Sequence, residues 1–224
     1  MSVTLAFDVY GTLIDTHAVV SKLEELIGDK AAEFSQTWRD KQLEYSFRRG
    51  LMRQYQTFAI CTMHALEYTC SYYKVSLAPE QKDQLLNCYK TLAAFKDVKD
   101  GLRRLKVANY KLYAFSNGTA EAVENLLEAA GIRDLFDGVV SVDDIKTFKP
   151  DPAVYSHLLH KTAALASNTW LISSNPFDVI GAISCGIRAA WVQRSKDAIF
   201  DPWGVEPTIV VDSLEQLQQK IGEP

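Results

Sequence analysis

The sequence lacks the features of secreted, membrane-spanning and disulfide-rich proteins. Its four cysteines are Cys61, Cys70, Cys88 and Cys185, and no two of them have the Cys-x-x-Cys spacing of a zinc or redox motif, so free thiols are expected. No hydrophobic run approaches the length that crosses a membrane, and the apolar N-terminal stretch reaches Asp8 too soon to be a signal peptide. We therefore expect a cytoplasmic protein with no membrane partner.

Positive charge is also scarce. Lysine and arginine number 24 against 28 acidic residues, the formal net charge is -4, and the longest basic cluster is Arg48-Arg49. Without a broad cationic surface, a nucleic-acid partner is not expected. His157 and His160 lie three residues apart on a predicted helix, but no further ligand cluster is near them in the sequence, so no metal site is predicted.

What the sequence does contain is the pattern of a folded α/β protein. Hydrophobic residues make up 47% of the 224 residues and charged residues 23%, which is typical of a globular chain. Short apolar runs predict strands at residues 3–7, 111–115, 138–140, 169–172, 189–192 and 208–211, and helical periodicity predicts helices at 119–130, at 151–162 and through 182. This alternation predicts a doubly wound parallel sheet. Residues 17–94 have helical periodicity throughout, so we predict an α/β core domain of residues 1–15 and 95–224 and an inserted helical domain of residues 16–94.

Polar residues at the ends of predicted strands mark a candidate site, because ligands of such sheets bind beyond the carboxyl ends of the strands. Four groups qualify: Asp8 with Tyr10 and Thr12, Ser116 with Asn117, Lys149, and Ser173-Ser174-Asn175 leading to Asp178. Here Asp8 could act as a nucleophile, Lys149 could keep it ionised, and Asp178 could activate water. Alone, Asp8 is more typical of an N-cap or turn aspartate, but four aligned loops favour the catalytic interpretation.

These groups resemble the successive motifs of the haloacid dehalogenase superfamily. The matching segments are Asp8-Val9-Tyr10-Gly11-Thr12-Leu13, Ser116-Asn117-Gly118, Lys149-Pro150-Asp151 and Ser173-Ser174-Asn175-Pro176-Phe177-Asp178. Within the superfamily the chain is most similar to the L-2-haloacid dehalogenases, because Trp38-Arg39 followed by Lys41-Gln42-Leu43-Glu44-Tyr45 also resembles their helical cap. The resemblance implies a Rossmann-like core with a helical cap domain and hydrolysis of short-chain L-2-haloacids to D-2-hydroxy acids.

Two positions separate this branch from phosphatases of the same superfamily. Such a phosphatase carries a second Asp two residues after its nucleophile as a general acid, where this chain has Tyr10. It also carries an acidic magnesium ligand in the fourth motif, and the aligned residue here is Ser174. A halide leaves as a stable anion and needs neither group, so a dehalogenase without metal or cofactor is predicted. The alternatives are another hydrolase of the superfamily, acting on a small ring or a phosphate ester, and a non-catalytic binding protein with the same fold.

The resemblance also implies roles for individual residues. Asp8, Lys149, Asp178 and Arg39 are the implied catalytic residues, with Arg39 facing the leaving halide; without the resemblance, Arg39 would be a solvated helix-face arginine. The implied substrate-binding residues are Tyr10, Thr12, Leu43, Phe58, Ser116, Asn117, Tyr155, Ser173, Asn175 and Phe177, of which Leu43 and Phe58 fit the core equally well by pattern. Ser116 would bind the substrate carboxylate, and Ser173 and Asn175 would position water. Phe177 stands where many members carry Trp, so halogen preference stays open.

The implied partners are a 2-haloalkanoate substrate and the released halide. Members of the family are often homodimers, and the aromatic-rich helices of the insertion, with Tyr68, Tyr72 and Tyr73, could supply an interface. The same aromatic residues could instead pack between the cap and the sheet.

Overall fold

A parallel sheet forms the centre of the structure, a computed structural model that describes residues 2–222. Its strands are β1 (Thr4–Asp8), β2 (Lys111–Ser116), β3 (Gly138–Ser141), β4 (Thr169–Ser173), β5 (Arg188–Val192) and β6 (Ile209–Val211). They lie in the order β3-β2-β1-β4-β5-β6, and each neighbouring pair is parallel. All five residues of β1 are buried, as expected of a central strand whose two faces are both covered by helices. The predicted doubly wound sheet is confirmed.

Helices cover the two faces of the sheet. They are α5 (Val98–Val107), α6 (Ala120–Ala129), α7 (Pro152–Thr162), α8 (Pro176–Ser184) and α9 (Leu217–Ile221). Leu5 and Phe7 pack with residues of α5 and α6, whereas the intervening Ala6 packs with residues of α7 and α8. Side chains of a strand alternate between the faces, so β1 contributes to both apolar layers. Helix α5 has no counterpart among the helices predicted from the sequence.

Four α-helices lie between β1 and α5 in the described part of the chain and form the helical insertion. They are α1 (Ala18–Ile27), α2 (Ala31–Leu51), α3 (Phe58–Tyr73) and α4 (Pro79–Cys88). Helices α2 and α3 pack against each other, and the buried Trp38 of α2 donates from Nε1 to the Thr62 carbonyl of α3 at 2.9 Å. The predicted helical character of this segment is confirmed. Its separation as a domain of residues 16–94 stays a prediction.

The two ends of the helical insertion run side by side. The Asp15 N–H donates to the Ala93 carbonyl at 2.9 Å, and the Phe95 N–H donates to the Leu13 carbonyl at 3.0 Å. The chain therefore leaves the sheet and returns to it at one place, directly after the loop that follows β1.

The structure contains neither a membrane-spanning helix nor a disulfide among residues 2–222. Across residues 2–222, no helix is long and apolar enough to cross a membrane. Cys61, Cys70, Cys88 and Cys185 are free thiols, as predicted.

Candidate active site

The site lies at the carboxyl end of the central strand. Strand β1 ends at Asp8, and the neighbouring strands β2 and β4 end at Ser116 and Ser173 on either side of it. Gly11, with φ 80°, turns the chain sharply after β1, and its N–H donates to the Ile14 carbonyl at 2.9 Å. The sheet therefore brings the first, second and fourth groups of predicted site residues together.

Both carboxylate oxygens of Asp8 accept hydrogen bonds. Oδ1 accepts from Lys149 Nζ at 3.1 Å, and Oδ2 accepts from Thr12 Oγ1 and from Asn175 Nδ2, each at 2.8 Å. Asp8 is only 8% exposed, so these three donors replace most of the water that would otherwise solvate the carboxylate. These three hydrogen bonds fix the direction in which the two carboxylate oxygens face.

Lys149 supplies a buried positive charge between two carboxylates. Its Nζ donates to Asp8 Oδ1 at 3.1 Å, to Asp178 Oδ2 at 2.8 Å and to the Phe115 carbonyl at 2.9 Å, which uses all three ammonium protons. Burial by itself would lower the pKa of Lys149, but Asp178 and Asp8 outweigh burial and raise it above the usual value. The ammonium group therefore stays charged. The Lys149 backbone N–H donates to Asn117 Oδ1 at 3.0 Å, which ties the second group of site residues to the third.

Asp178 is fully buried at the start of α8. Its Oδ2 accepts from Lys149, and its Oδ1 accepts from the Tyr155 hydroxyl at 2.9 Å. Burial raises the pKa of the Asp178 carboxyl, the nearby charge of Asp8 raises it further, and Lys149 offsets part of the rise. The pKa of Tyr155 is raised well above its usual value, first by burial and then by Asp178, so the phenol remains a hydrogen-bond donor. Tyr155, which the resemblance implied to be a substrate-binding residue, thus orients Asp178.

Arg39 reaches this group from helix α2 of the insertion. Its Nη2 donates to Asn175 Oδ1 at 3.3 Å, and Asn175 Nδ2 in turn donates to Asp8. One hydrogen-bonded network therefore contains all four residues predicted to be catalytic, although three come from the core and one from the insertion.

Aromatic and aliphatic side chains line the insertion side of the network. The rings of Tyr10 and Phe58 have centroids 6.3 Å apart, and half-buried Leu43 packs in the same apolar cluster as Phe58. Burial, with a smaller contribution from Tyr89, raises the pKa of Tyr10 to about 12, and Arg39 opposes the rise. Tyr10 is therefore a neutral phenol at neutral pH.

Phe177 lies on another side, where its ring packs edge-to-face against Phe47 of α2 with centroids 5.2 Å apart. The predicted substrate-binding residues with apolar side chains thus come from both the core and the insertion.

The strand-end serines shape their own loops. Ser116 Oγ accepts from the Gly118 N–H at 3.1 Å, and Ser173 Oγ accepts from the Asn175 N–H at 3.1 Å. Both side chains are buried. The Ser173 contact places Asn175 where its amide can reach Asp8, so at least one of these serines acts on the site through a neighbour.

Ser174, at the position aligned with a phosphatase magnesium ligand, is bonded to the first loop. Its hydroxyl donates to the Gly11 carbonyl at 2.8 Å, and its N–H donates to Thr12 Oγ1 at 2.8 Å. Within the part of the chain that the structure describes, no group of three or more His, Cys, Asp or Glu side chains is arranged to hold a metal ion. The two hydrogen bonds of Ser174 stabilise the loop that carries Thr12.

Two residues that contact the site had no role in the sequence analysis. Gln42 accepts a hydrogen bond from Arg39 Nη1 at 3.1 Å. Arg194 donates to the Thr12 carbonyl from Nε at 3.1 Å and from Nη2 at 2.6 Å, and its Nη1 donates to both carboxylate oxygens of Asp97 at 2.8 Å. Arg194 follows β5 at the same edge of the sheet, so the search for polar residues after strands could have found it.

Known proteins are similar to this chain in sequence and in fold. A family model for haloacid dehalogenase-like hydrolases matches residues 3–186. The chain is 37% identical over 210 residues to the (S)-2-haloacid dehalogenase of Pseudomonas sp. (strain YL), covering 94% of this chain and 90% of that protein. It is 34% identical over 213 residues to haloacetate dehalogenase H-2 of Moraxella sp. (strain B), with 95% of each covered. A solved structure of the L-2-haloacid dehalogenase from Xanthobacter autotrophicus, with chloropropionic acid covalently bound, is 29% identical with a TM-score of 0.89 and covers 99% of this chain and 98% of that chain.

Proposed function

The chain belongs to the haloacid dehalogenase-like hydrolase family, within which it groups with the (S)-2-haloacid dehalogenases, and on that basis we propose that it hydrolyses short-chain L-2-haloacids to D-2-hydroxy acids through an ester on Asp8. Two features support this proposal. Relatives that match nearly the whole chain include dehalogenases of 2-haloacids and of haloacetate. The network around Asp8 also contains the groups that both halves of such a reaction need.

The observation that carries the proposal is the position of Lys149 Nζ, 3.1 Å from Asp8 Oδ1 and 2.8 Å from Asp178 Oδ2. One ammonium group holds two carboxylates close together, and without it the two negative charges would repel each other in a buried site. When Asp8 becomes an ester and loses its charge, Lys149 still pairs with Asp178. The arrangement therefore supports one carboxylate that forms a covalent bond and a second that acts as a base.

In the first step, an oxygen of Asp8 attacks carbon 2 of the haloacid from the side opposite the halogen. A carbon–oxygen bond forms, the carbon–halogen bond breaks, and its electron pair leaves with the halide, which inverts the carbon. Arg39 offers a guanidinium for the departing charge, Asn117 offers its Nδ2 amide because its Oδ1 is engaged by Lys149, and Phe177 offers a positive ring edge.

In the second step, water attacks the carboxyl carbon of the ester, and Asp178 accepts a proton from it. The bond between that carbon and the alkyl oxygen breaks, the hydroxy acid leaves with a proton, and Asp8 returns to its carboxylate. The net reaction converts the haloacid and water into hydroxy acid, halide and one proton. The raised pKa of Asp178 suits the base that this step requires.

The remaining residues would hold the substrate. Ser116 and the backbone N–H groups of the first loop face the carboxylate, and Tyr10, Leu43 and Phe58 contact the alkyl group. Because no acidic residue stands at position 10 or 174, we propose that the reaction needs neither an added acid nor magnesium.

Single-turnover hydrolysis of L-2-chloropropionate in oxygen-18 water tests the covalent route. With enzyme in excess, one label should enter the Asp8 carboxyl, as read by peptide mass spectrometry, and the product should carry unlabelled oxygen from Asp8. Asp8→Asn should abolish turnover, and Asp15→Asn, which changes an aspartate outside the network, should not. Label in the product with none in Asp8, or complete loss of activity with a magnesium chelator, would overturn the proposal.

A further inference from the structure

A buried amide lies directly behind Arg39. Gln42 is 2% exposed, in the part of α2 that packs on α3, three residues after Arg39 and therefore on the same side of the helix. A buried amide destabilises a protein unless its donor and acceptor are both bonded. Both are bonded here: Gln42 Oε1 accepts from Arg39 Nη1 at 3.1 Å, and its Nε2 donates to Thr62 Oγ1 at 2.5 Å.

The direction of this chain of hydrogen bonds is fixed by Thr62. Its hydroxyl has one proton, which it donates to the Phe58 carbonyl one turn earlier in α3 at 2.9 Å. Thr62 can therefore only accept from Gln42, so the NH2 group of the amide must face Thr62. The amide oxygen is left facing the guanidinium. Thr62 thus determines that Arg39 meets an acceptor rather than a second donor.

The guanidinium is held at both of its outer nitrogens. Nη1 donates to Gln42 and Nη2 donates to Asn175 Oδ1 at 3.3 Å. Because the group is planar and rigid, two such bonds fix its plane. An arginine side chain otherwise has several rotatable bonds and loses considerable freedom when it is held in one position. The hydrogen bond that Arg39 donates to Gln42 supplies part of that restraint.

We propose that Gln42 is a positioning residue that presents the Arg39 guanidinium to the departing halide, with Thr62 setting the orientation of its amide. The inference rests on the proposed function and deepens it. A fixed donor stabilises charge that develops at the halogen without reorganising during the reaction. The water-activating group is elsewhere, on Asp178, so Gln42 acts on the alkylation of Asp8 and not on hydrolysis of the ester.

The test separates those two steps in Gln42→Met, which keeps much of the side-chain volume and removes both hydrogen bonds. Rapid mixing of excess enzyme with L-2-chloropropionate or L-2-bromopropionate, followed by acid quench and mass spectrometry, gives the rate of ester formation and the rate of ester decay. We expect ester formation to slow about 10-fold or more, since misplacing a catalytic group costs up to about 100-fold. The loss should be larger for chloride, the poorer leaving group, and ester decay should change less than about twofold.

A second variant, Thr62→Val, keeps the test informative if Gln42→Met fails to fold, and Gln36→Met is the control. Thr62→Val removes the hydroxyl that orients the amide and preserves the shape, and it should give the same selective loss of ester formation. Gln36→Met removes an exposed glutamine of the same helix that bonds Asp40 at 2.8 Å, and it should leave both rates unchanged. The tie between α2 and α3 through Trp38 and the Thr62 carbonyl is present in all three.

The outcomes are distinct. Ester formation at the wild-type rate in Gln42→Met and Thr62→Val would overturn the role of Gln42 and leave the proposed function standing. Equal slowing of ester formation and ester decay would also overturn it, because that result indicates general damage to the fold. If the wild-type enzyme forms no ester on Asp8, the proposed function and this inference both fail.

Discussion

Arg39 Nη2 donates to Asn175 Oδ1 at 3.3 Å, although the two residues are 136 positions apart in the chain. The same Asn175 amide donates to Asp8 through Nδ2 at 2.8 Å. A single side chain therefore connects the guanidinium proposed to receive the halide with the carboxylate proposed to displace it. Since Arg39 belongs to the helical insertion and Asp8 to the sheet, the relative placement of these two parts sets the geometry of the reaction.

Replacing the proposed base should separate the two chemical steps. Asp178→Asn preserves the size of the side chain but cannot accept a proton from water, so alkylation of Asp8 should continue while ester hydrolysis slows about 10²–10⁴-fold. Halide release should then stop after one equivalent, and mass spectrometry should find the ester on Asp8. The milder Tyr155→Phe, which removes one hydrogen bond to Asp178, should slow hydrolysis less. Steady release of halide by Asp178→Asn would contradict the role of the base.

The rate of ester hydrolysis should fall as the pH is lowered. Burial raises the pKa of Asp178, so this carboxyl takes up its proton at a higher pH than an exposed aspartate, whose pKa is about 4. Base catalysis is present above the Asp178 pKa and is lost below it. Formation of the ester removes the Asp8 charge, one of the causes of the raised pKa, but leaves burial in place. Decay of the accumulated ester, followed after pH jumps, checks the sign; a rate that stays constant or rises on acidification contradicts it.

Loss of the buried ammonium should affect both activity and stability. In Lys149→Met the carboxylates of Asp8 and Asp178 lose their shared cation, and leaving buried charges unpaired should lower the free energy of unfolding by about 3–5 kcal/mol. Turnover should fall at least ~100-fold because Asp8 loses the cation that pairs with its carboxylate and orients it. The control is Lys161→Met, which breaks an exposed pair with Asp144 and should cost less than about 1 kcal/mol. Urea unfolding measures the free energy of unfolding of the two variants, and an assay of halide release measures turnover. Equal losses of stability in the two variants would contradict the prediction.

Gly181 of α8 lies so close to Pro150 and Tyr155 that no larger side chain fits there. A Cβ added there would lie 2.8 Å from Pro150 Cβ and closer still to the Tyr155 hydroxyl, so Gly181→Ala should displace Tyr155 from Asp178. We expect a loss of about 1–3 kcal/mol in stability together with slower ester hydrolysis. Gly50→Ala is the opposite case: it lies in helix α2, and its nearest new contact would be 3.4 Å. In Gly50→Ala the free energy of unfolding should rise by about 0.5–1 kcal/mol. Thermal unfolding should therefore show a lower midpoint for Gly181→Ala and a higher one for Gly50→Ala than for the wild type.

The strands were predictable because each is a short apolar run ended by turn formers or polar site residues. The predicted run at 3–7 became Thr4–Asp8, and the run at 169–172 became Thr169–Ser173. Helix α5 was not predicted, although its buried residues Val98, Leu102 and Leu105 follow the i, i+4, i+7 spacing of an amphipathic helix, so this pattern could have found it.

Within the site, sequence motifs predicted which residues meet, but not which atoms bond. The position of Asp8, Lys149 and Asp178 follows from strand ends that converge on one edge of the sheet. The contact of Tyr155 with Asp178 depends on how α7 crosses α8, and the contact of Gln42 with Thr62 depends on how α2 packs on α3. Packing of this kind between distant segments leaves no signature in the order of the residues.

The hydrogen-bonded segments at residues 13–15 and 93–95 allow the helical insertion to vary between related enzymes. Because the insertion departs and rejoins within hydrogen-bonding distance, its length and helices can change without disturbing the register of β1 or the placement of Asp8. The proposed nucleophile Asp8 and the proposed base Asp178 belong to the part that must stay constant. Of the residues proposed to contact the halogen and the alkyl group, Arg39, Leu43 and Phe58 can therefore change with the insertion, whereas Tyr10, Asn117 and Phe177 stay with the sheet.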